Sequence, residues 1–139
     1  MSSDRQRELG SFYTPPGVAL ALTRWAVREP DCTVFDPSYG GCAFFTAAFQ
    51  VLSELDSCSP ASQIYGVDVD ENAQKYLSRL LDAGASPRQF KHSDFFQIGP
   101  SDFVDGGFRA VVGNPPFIRY HWIEEKAKKR AKRKVLGIF

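Results

Sequence analysis

Apolar and polar positions alternate along the chain in two periods, and the alternation predicts strands and helices taking turns. Pro15-Pro16 can open a helix, because proline is tolerated in a first helical turn and not in the interior. Val18, Leu22, Trp25 and Ala26 then recur at helical spacing until Glu29-Pro30 ends the run. Cys32-Thr-Val-Phe35 is a short apolar run cut off at Asp36-Pro37, and predicts a first strand. Ser38 to Gly41 reads as a turn, followed by a helix with Phe44, Phe45, Ala48, Phe49 and Leu52 on one face. After a polar connection from Ser57 to Ser62, Gln63 to Val67 predicts a second strand closed by Asp68. Ala73, Tyr76, Leu77, Leu80 and Leu81 form the stripe of a third helix that Gly84 stops. Arg88 to Lys91 gives a weak third strand ending near Asp94, and Phe108 to Val112 a stronger fourth running into Gly113-Asn114-Pro115-Pro116. Trp122 to Lys134 is helical in composition. Trp25 and the phenylalanines of the Phe44–Phe49 helix are expected in the core. This βαβαβ order predicts an α/β fold built on a parallel, doubly wound sheet.

Asp36, Asp68, Asp94 and Asn114 each stand just past a predicted strand. In a parallel sheet the four strand ends share one edge, which is where open α/β sheets place ligands. Any one of them is accounted for by a strand-ending turn; four together, with a glycine turn beside the first, predict a binding cleft.

Length and composition narrow the field. The 139 residues fit one domain, and at that size a chain buries roughly 68% of its unfolded surface. An aromatic content of 14% and a charged content of 24% argue against disorder. No apolar stretch approaches the roughly 18 residues of a membrane helix, and the polar N-terminus lacks a signal peptide's apolar segment. The odd cysteines Cys32, Cys42 and Cys58 form no C-x-x-C pair, and His92 and His121 have no partner at metal-ligand spacing. No disulfide framework and no metal site are therefore expected, and a reducing cytoplasm is. The net charge of +1 hides an asymmetry: seven of the 17 basic residues fall between Lys126 and Lys134, and residues 1–125 hold 10 basic against 16 acidic side chains, a net of −6. Such a run is either a nucleic-acid footprint or a solvated helix face. The chain carries no repeat and no low-complexity linker.

Two segments carry candidate chemistry. In Asp36-Pro-Ser-Tyr-Gly-Gly-Cys-Ala-Phe-Phe45 the glycines allow backbone to pass close under a ligand. The acid before the turn argues against a phosphate cradle and suits a ligand's positive charge, an amino group or a sulfonium. Asp68 stands where such folds bond a ribose hydroxyl pair, so the two features together predict a nucleoside-bearing cofactor, with a nicotinamide still open. Asn114-Pro-Pro-Phe117 is sharper. Two prolines remove two backbone donors, so that the Asn114 side-chain oxygen and the Pro115 carbonyl can face one amino group while Phe117 stacks on a flat ring. Such a site suits an exocyclic amine on a base or an amide. As an isolated N-P-P it would equally be a strand-ending turn.

In these motifs the chain resembles the catalytic part of the N6-adenine DNA methyltransferases of restriction–modification systems, in the group whose cofactor motifs precede the catalytic one. The segment from Leu9 to Leu20 matches their "G-x-F-Y-T-P-x-x-(V/I)-A" motif, Asp36 to Phe45 the glycine loop, Gly66-Val-Asp-Val-Asp70 the second-strand motif and Ser93-Asp94-Phe95 the third. Asn114 to Phe117 matches the catalytic N-P-P-(Y/F), which Ile118-Arg119-Tyr120 continues. The resemblance implies a Rossmann-like methyltransferase fold, incomplete at about four strands, and S-adenosylmethionine as cofactor. Tyr13, Thr14 and Pro15 would contact its methionine end, with Asp36, Ser38 and Gly40 beneath. Asp68 would hold the ribose, Val69 would pack on the adenine, Asp94 would accept from the adenine amine, and Phe95 would lie against the ring. It implies double-stranded DNA as partner, with the target adenine flipped out and bound by Asn114, Pro115, Pro116 and Phe117.

The chain departs from the family pattern at two points. The common G-x-G loop reads Gly40-Gly41-Cys42, and a positive φ at Cys42 would carry a steric cost and weaken cofactor binding. Members also continue beyond N-P-P-F into further strands and a recognition domain, so a complementing C-terminal half or recognition subunit is expected. The layout is an N-terminal cofactor motif and helix over residues 1–30, a βαβ core over 31–120 and a basic helical tail over 121–139. Alternatives are an inactive or partial cofactor-binding fragment, methylation of a protein glutamine amide, and, most distantly, a nicotinamide enzyme.

Overall fold

The computed structural model describes residues 13–103, 107–115 and 125–138. Helix α1 (Pro16–Ala26) starts on proline and ends at Val27, which turns to extended backbone. Strand β1 (Val34–Asp36), helix α2 (Ala43–Glu54) and strand β2 (Ile64–Asp68) follow. A 3₁₀ segment (Glu71–Leu77) leads into the short helix α3 (Ser78–Asp82), and then come β3 (Phe90–His92), β4 (Ala110–Val111) and α4 (Glu125–Ile138). The four strands form one parallel sheet in the order β3-β2-β1-β4. The chain therefore grows outward from β1 in one direction and returns to its other side, which is the doubly wound arrangement predicted above.

Alternate residues of the strands face opposite sides, and the two sides are packed differently. Val34 and Ile64 are buried toward α2, where Phe44, Phe45, Ala48 and Leu52 complete the core. Gly66 is required there: a Cβ would stand 2.9 Å from both the Asp36 carbonyl oxygen and a Tyr39 ring carbon. Its absence lets Tyr39 and Phe45 stack on each other at 4.9 Å directly over the sheet. Phe35 and Tyr65 lie on the opposite face, under Phe108 and Phe103, with Phe35 and Phe108 nearly parallel at 4.6 Å.

The structure corrects the reading of α1. Trp25 is not in the core: it is 75% exposed, with Val18 and Leu22 half exposed beside it. The helix instead turns the adjacent stripe of Ala19 and Thr23 inward, because small side chains allow α1 to approach α2 closely. Phe44 and Phe45 of α2 are interior, as expected, and Phe49 is partly buried against them. The third helix opens as 3₁₀ and buries Ala73, Leu77 and Leu80, whereas Tyr76 and Leu81 stay on the surface. It stops at Gly84 (φ 107°), with the Gly84 and Ala85 amides returning to Leu81 and Leu80. Strand β4 is shorter than the apolar run that predicts it, and no helix among the described residues is long and apolar enough to cross a membrane.

Candidate functional site

The ends of β1, β2 and β4 converge. Asp36 closes β1 and is 1% exposed, its Oδ1 accepting the Ser38 amide at 2.8 Å. Gly113, just beyond β4, makes room for it, since a Cβ there would stand 2.7 Å from the same oxygen. Burial pushes the Asp36 carboxyl up to about 7, against the pull of the Ser38 amide, and the neighbouring Asp68 charge adds to the rise.

Asp68 closes β2 and braces two loops at once. Its Oδ2 accepts the Gly40 amide and its Oδ1 the Asp70 amide, both at 2.8 Å. The glycine loop is thereby tied to the second strand. Within it Gly40 has φ 48° and Cys42 φ 68°, so the condition attached to Cys42 is met: a non-glycine residue occupies left-handed backbone at the N-cap of α2. Burial pushes its thiol up to about 12, which leaves it unreactive. Tyr13 lies against Gly41, where an added Cβ would come within 2.5 Å of its ring. A hydrogen bond with Tyr76 raises the Tyr13 phenol above its ordinary value.

Asn114 extends from the end of β4 and is exposed. Its Nδ2 donates to Thr14 Oγ1 at 3.3 Å, across 100 residues of sequence, which leaves Oδ1 free to accept. Pro115 is exposed beside it; Pro116, Phe117 and the continuation to Tyr120 lie outside the described residues, as does the Leu9–Phe12 part of the N-terminal motif.

These groups line a cleft of ≈ 60 Å³ that gathers Tyr13, Thr14, Asp36, Ser38, Gly40, Asp68, Val69 and Asn114 from the predicted set. It adds Tyr39, Gly41, Ala43, Phe44 and Asp70. Asp70 could have been read from the Asp-x-Asp spacing, and Tyr39 from its place inside the glycine loop. Gly113 could not, because its role depends on β4 lying beside β1. Among the described residues, three carboxylates and no lysine, arginine or histidine line the cleft. The Tyr39 hydroxyl and Ser38 Oγ are buried there without a hydrogen-bond partner, and a ligand supplying such partners would satisfy them.

Other predicted residues stand apart. Pro15 caps α1, its carbonyl accepting the Val18 and Ala19 amides. Asp94 is engaged elsewhere: Oδ1 accepts the Phe96 amide at 3.0 Å, and Oδ2 accepts Arg130 Nε at 3.2 Å and Nη2 at 2.9 Å. Phe95 lines a separate apolar hollow with Phe35, Phe103 and Phe108. Among the described residues no three His, Cys, Asp or Glu side chains converge as a metal centre would require.

Comparison with known proteins places this geometry in context. The family model described as N-6 DNA Methylase matches residues 1–137. The chain is 30% identical over 122 residues to the type I restriction enzyme MjaIX methylase subunit of Methanocaldococcus jannaschii, covering 86% of this chain and 21% of that protein. It is 27% identical over 131 residues to the type II methyltransferase M.XamI of Xanthomonas campestris pv. amaranthicola, covering 89% and 22%. With the type II methyltransferase M.AccI of Acinetobacter calcoaceticus it shares 22% identity over 131 residues, covering 91% and 21%. The chain spans about a fifth of the length of these curated relatives.

Proposed function

The chain belongs to the N-6 DNA methylase family, and from that premise we propose that it is the cofactor-binding and catalytic segment of an S-adenosylmethionine-dependent methyltransferase acting on N6 of adenine in DNA. The observation that carries the cofactor is the cleft's lining: Asp36, Asp68 and Asp70 contribute carboxylates to it, and no lysine, arginine or histidine among the described residues does. Such a cleft repels a phosphate-bearing dinucleotide and attracts a ligand with a sulfonium and an ammonium group. When bound, S-adenosylmethionine supplies an electrophilic methyl group. Asp36 would face its positive charge, and Ser38 and Tyr39 would offer hydroxyls to its polar groups. The remaining lone pairs of Asp68 accept ribose hydroxyls without giving up the Gly40 and Asp70 amides. Val69, 59% exposed at the rim, offers an apolar surface to the adenine.

The target adenine has to leave the duplex, because its N6 is stacked and paired there. Asn114 Oδ1 and the Pro115 carbonyl would then accept its two N–H groups and draw the nitrogen lone pair out of conjugation with the ring. Thr14 holds the Asn114 amide nitrogen away from that amine, so the oxygen is the atom presented. Pro116 and Phe117 complete the base site, with Phe117 stacking worth about 1–3 kcal/mol. Positioning and hydrogen bonding carry the rate enhancement. The relatives are a type I methylase subunit and type II methyltransferases, which supports a restriction–modification setting and a recognition subunit or C-terminal half as partner.

Calorimetric titration of the purified chain with S-adenosylmethionine tests the cofactor. Binding is expected, weakened at least tenfold in Asp68→Ala, and no heat from a wild-type chain shown to be folded would overturn it. In the active enzyme Asn114→Ala is expected to abolish adenine methylation while cofactor affinity stays within about twofold. Methylglutamine in protein without methyladenine in DNA would overturn the substrate.

A further inference from the structure

Helix α4 carries a dense run of charge that the cleft does not use. Lys126, Lys128, Lys129, Arg130, Lys132 and Arg133 follow Glu125 along it, while the body of the chain is acidic. The helix sorts these cations by direction. Arg130 is half-buried and forks onto Asp94 at 2.9 Å, and Lys128 is half-buried and pairs with Glu125 at 3.2 Å. Lys126, Lys129, Lys132 and Arg133 are exposed. At 100° per residue these four fall within about a third of the helix circumference, flanked by the two inward cations. The helix rests against the turn that follows β3, Phe95–Gln97, and thus at the same sheet edge as the cleft.

We propose that the outer face of α4 is a binding surface for the phosphate backbone of duplex DNA, pinned to the methyltransferase body by Arg130 on Asp94. The assignment rests on the DNA reading above, and adds where on this chain the backbone lies. Lys126 to Arg133 spans about 10 Å of helix axis, and a duplex presents a charge about every 1.7 Å, so four outward cations along one line can meet several phosphates at once. The rest of the chain, residues 1–125, carries a net charge of −6, and the carboxylates of the cleft repel the backbone. Docking through α4 therefore selects one orientation of the duplex, with the sheet edge that carries Asn114 turned toward it. The contact is to phosphate and carries no sequence information.

The test uses the full 139-residue chain and a fluorescent 20-base-pair duplex of mixed sequence, with anisotropy measured across a salt series. One variant joins Lys126→Gln, Lys129→Gln, Lys132→Gln and Arg133→Gln; a second joins Arg28→Gln, Lys75→Gln, Arg79→Gln and Arg88→Gln on exposed positions of the body. Both take the net charge from +1 to −3, and glutamine keeps helix propensity. The α4 variant is expected to bind at least tenfold more weakly at 0.1 M salt, and to lose about 3–4 from the slope of log K against log salt. The body variant is expected to lose less than 1 from the slope. Equal losses in the two variants, an unchanged slope in the first, or no DNA binding by the wild type would each overturn the surface. Calorimetry with S-adenosylmethionine on the same samples separates that failure from failure of the cofactor reading, since none of the eight residues lines the cleft.

Discussion

The two flanks of the sheet edge hold their carboxylates by different means. On the β1–β2 side, Asp36 and Asp68 bond only backbone amides, those of Ser38, Gly40 and Asp70. The missing side chain of Gly113 leaves room for the Asp36 carboxylate, and that of Gly66 leaves room for the Asp36 backbone and the Tyr39 and Phe45 rings. On the β3 side, Asp94 is held by one backbone amide and by the guanidinium of a helix that arrives 36 residues later. A carboxylate bonded to backbone moves only if the loop moves, whereas one paired to a side chain can exchange its partner at little cost. The first flank is fixed and the second an exchangeable joint.

The sharpest way to break the fixed flank is Gly66→Ala. The added methyl meets Tyr39, Phe45 and the Asp36 backbone at once, and a loss of about 3 kcal/mol is expected from such overpacking. Urea unfolding measures it, and a loss below 1 kcal/mol would show that the rings can yield.

Titration probes the same flank without disturbing its shape. Asp36 has a folded value of about 7, above its ordinary 3.8. Its ionisation therefore costs stability as pH rises through 7, and that cost disappears below about 4. Asp36→Asn should gain stability relative to the wild type between pH 5 and pH 8. A cationic ligand has the opposite demand. Affinity for S-adenosylmethionine should fall by up to tenfold per pH unit below about 7, and the dependence should vanish in Asp36→Asn. A flat profile in the wild type would remove Asp36 from the ligand's surroundings.

The joint should give the smallest effect. Arg130→Gln breaks a pair whose side chains are 29% and 22% exposed, and is expected to cost about 0.5–1 kcal/mol in thermal unfolding. A loss as large as that of Gly66→Ala would make α4 part of the fixed core and erase the contrast.

The fixed flank was also the more legible in the sequence. β1 and β2 are apolar runs that stop on an acid, and their ends fell where Asp36 and Asp68 predict. N-P-P after a fourth apolar run placed Asn114 at the same edge. What the pattern missed depends on contacts between distant segments. Periodicity offered the stripe with Trp25 on α1, and the adjacent one packs instead, because closeness to α2 favoured Ala19 and Thr23. Nothing local to Ser93-Asp94-Phe95 announces Arg130, and nothing local to Gly113 announces Asp36.

The order β3-β2-β1-β4 also sets a sequence of events during synthesis. The first three strands are neighbours in the chain as well as in space, so they and their helices can assemble as the polypeptide leaves a ribosome. Asp36 and Asp68 then already face each other, while the side of β1 that will receive β4 is still bare. Only when residues 110–114 emerge does that edge close, setting Gly113 against Asp36 and Asn114 against Thr14. The nascent chain thus forms the Asp36–Asp68 side of the cleft before it adds the Asn114 amide, and β4 joins the two.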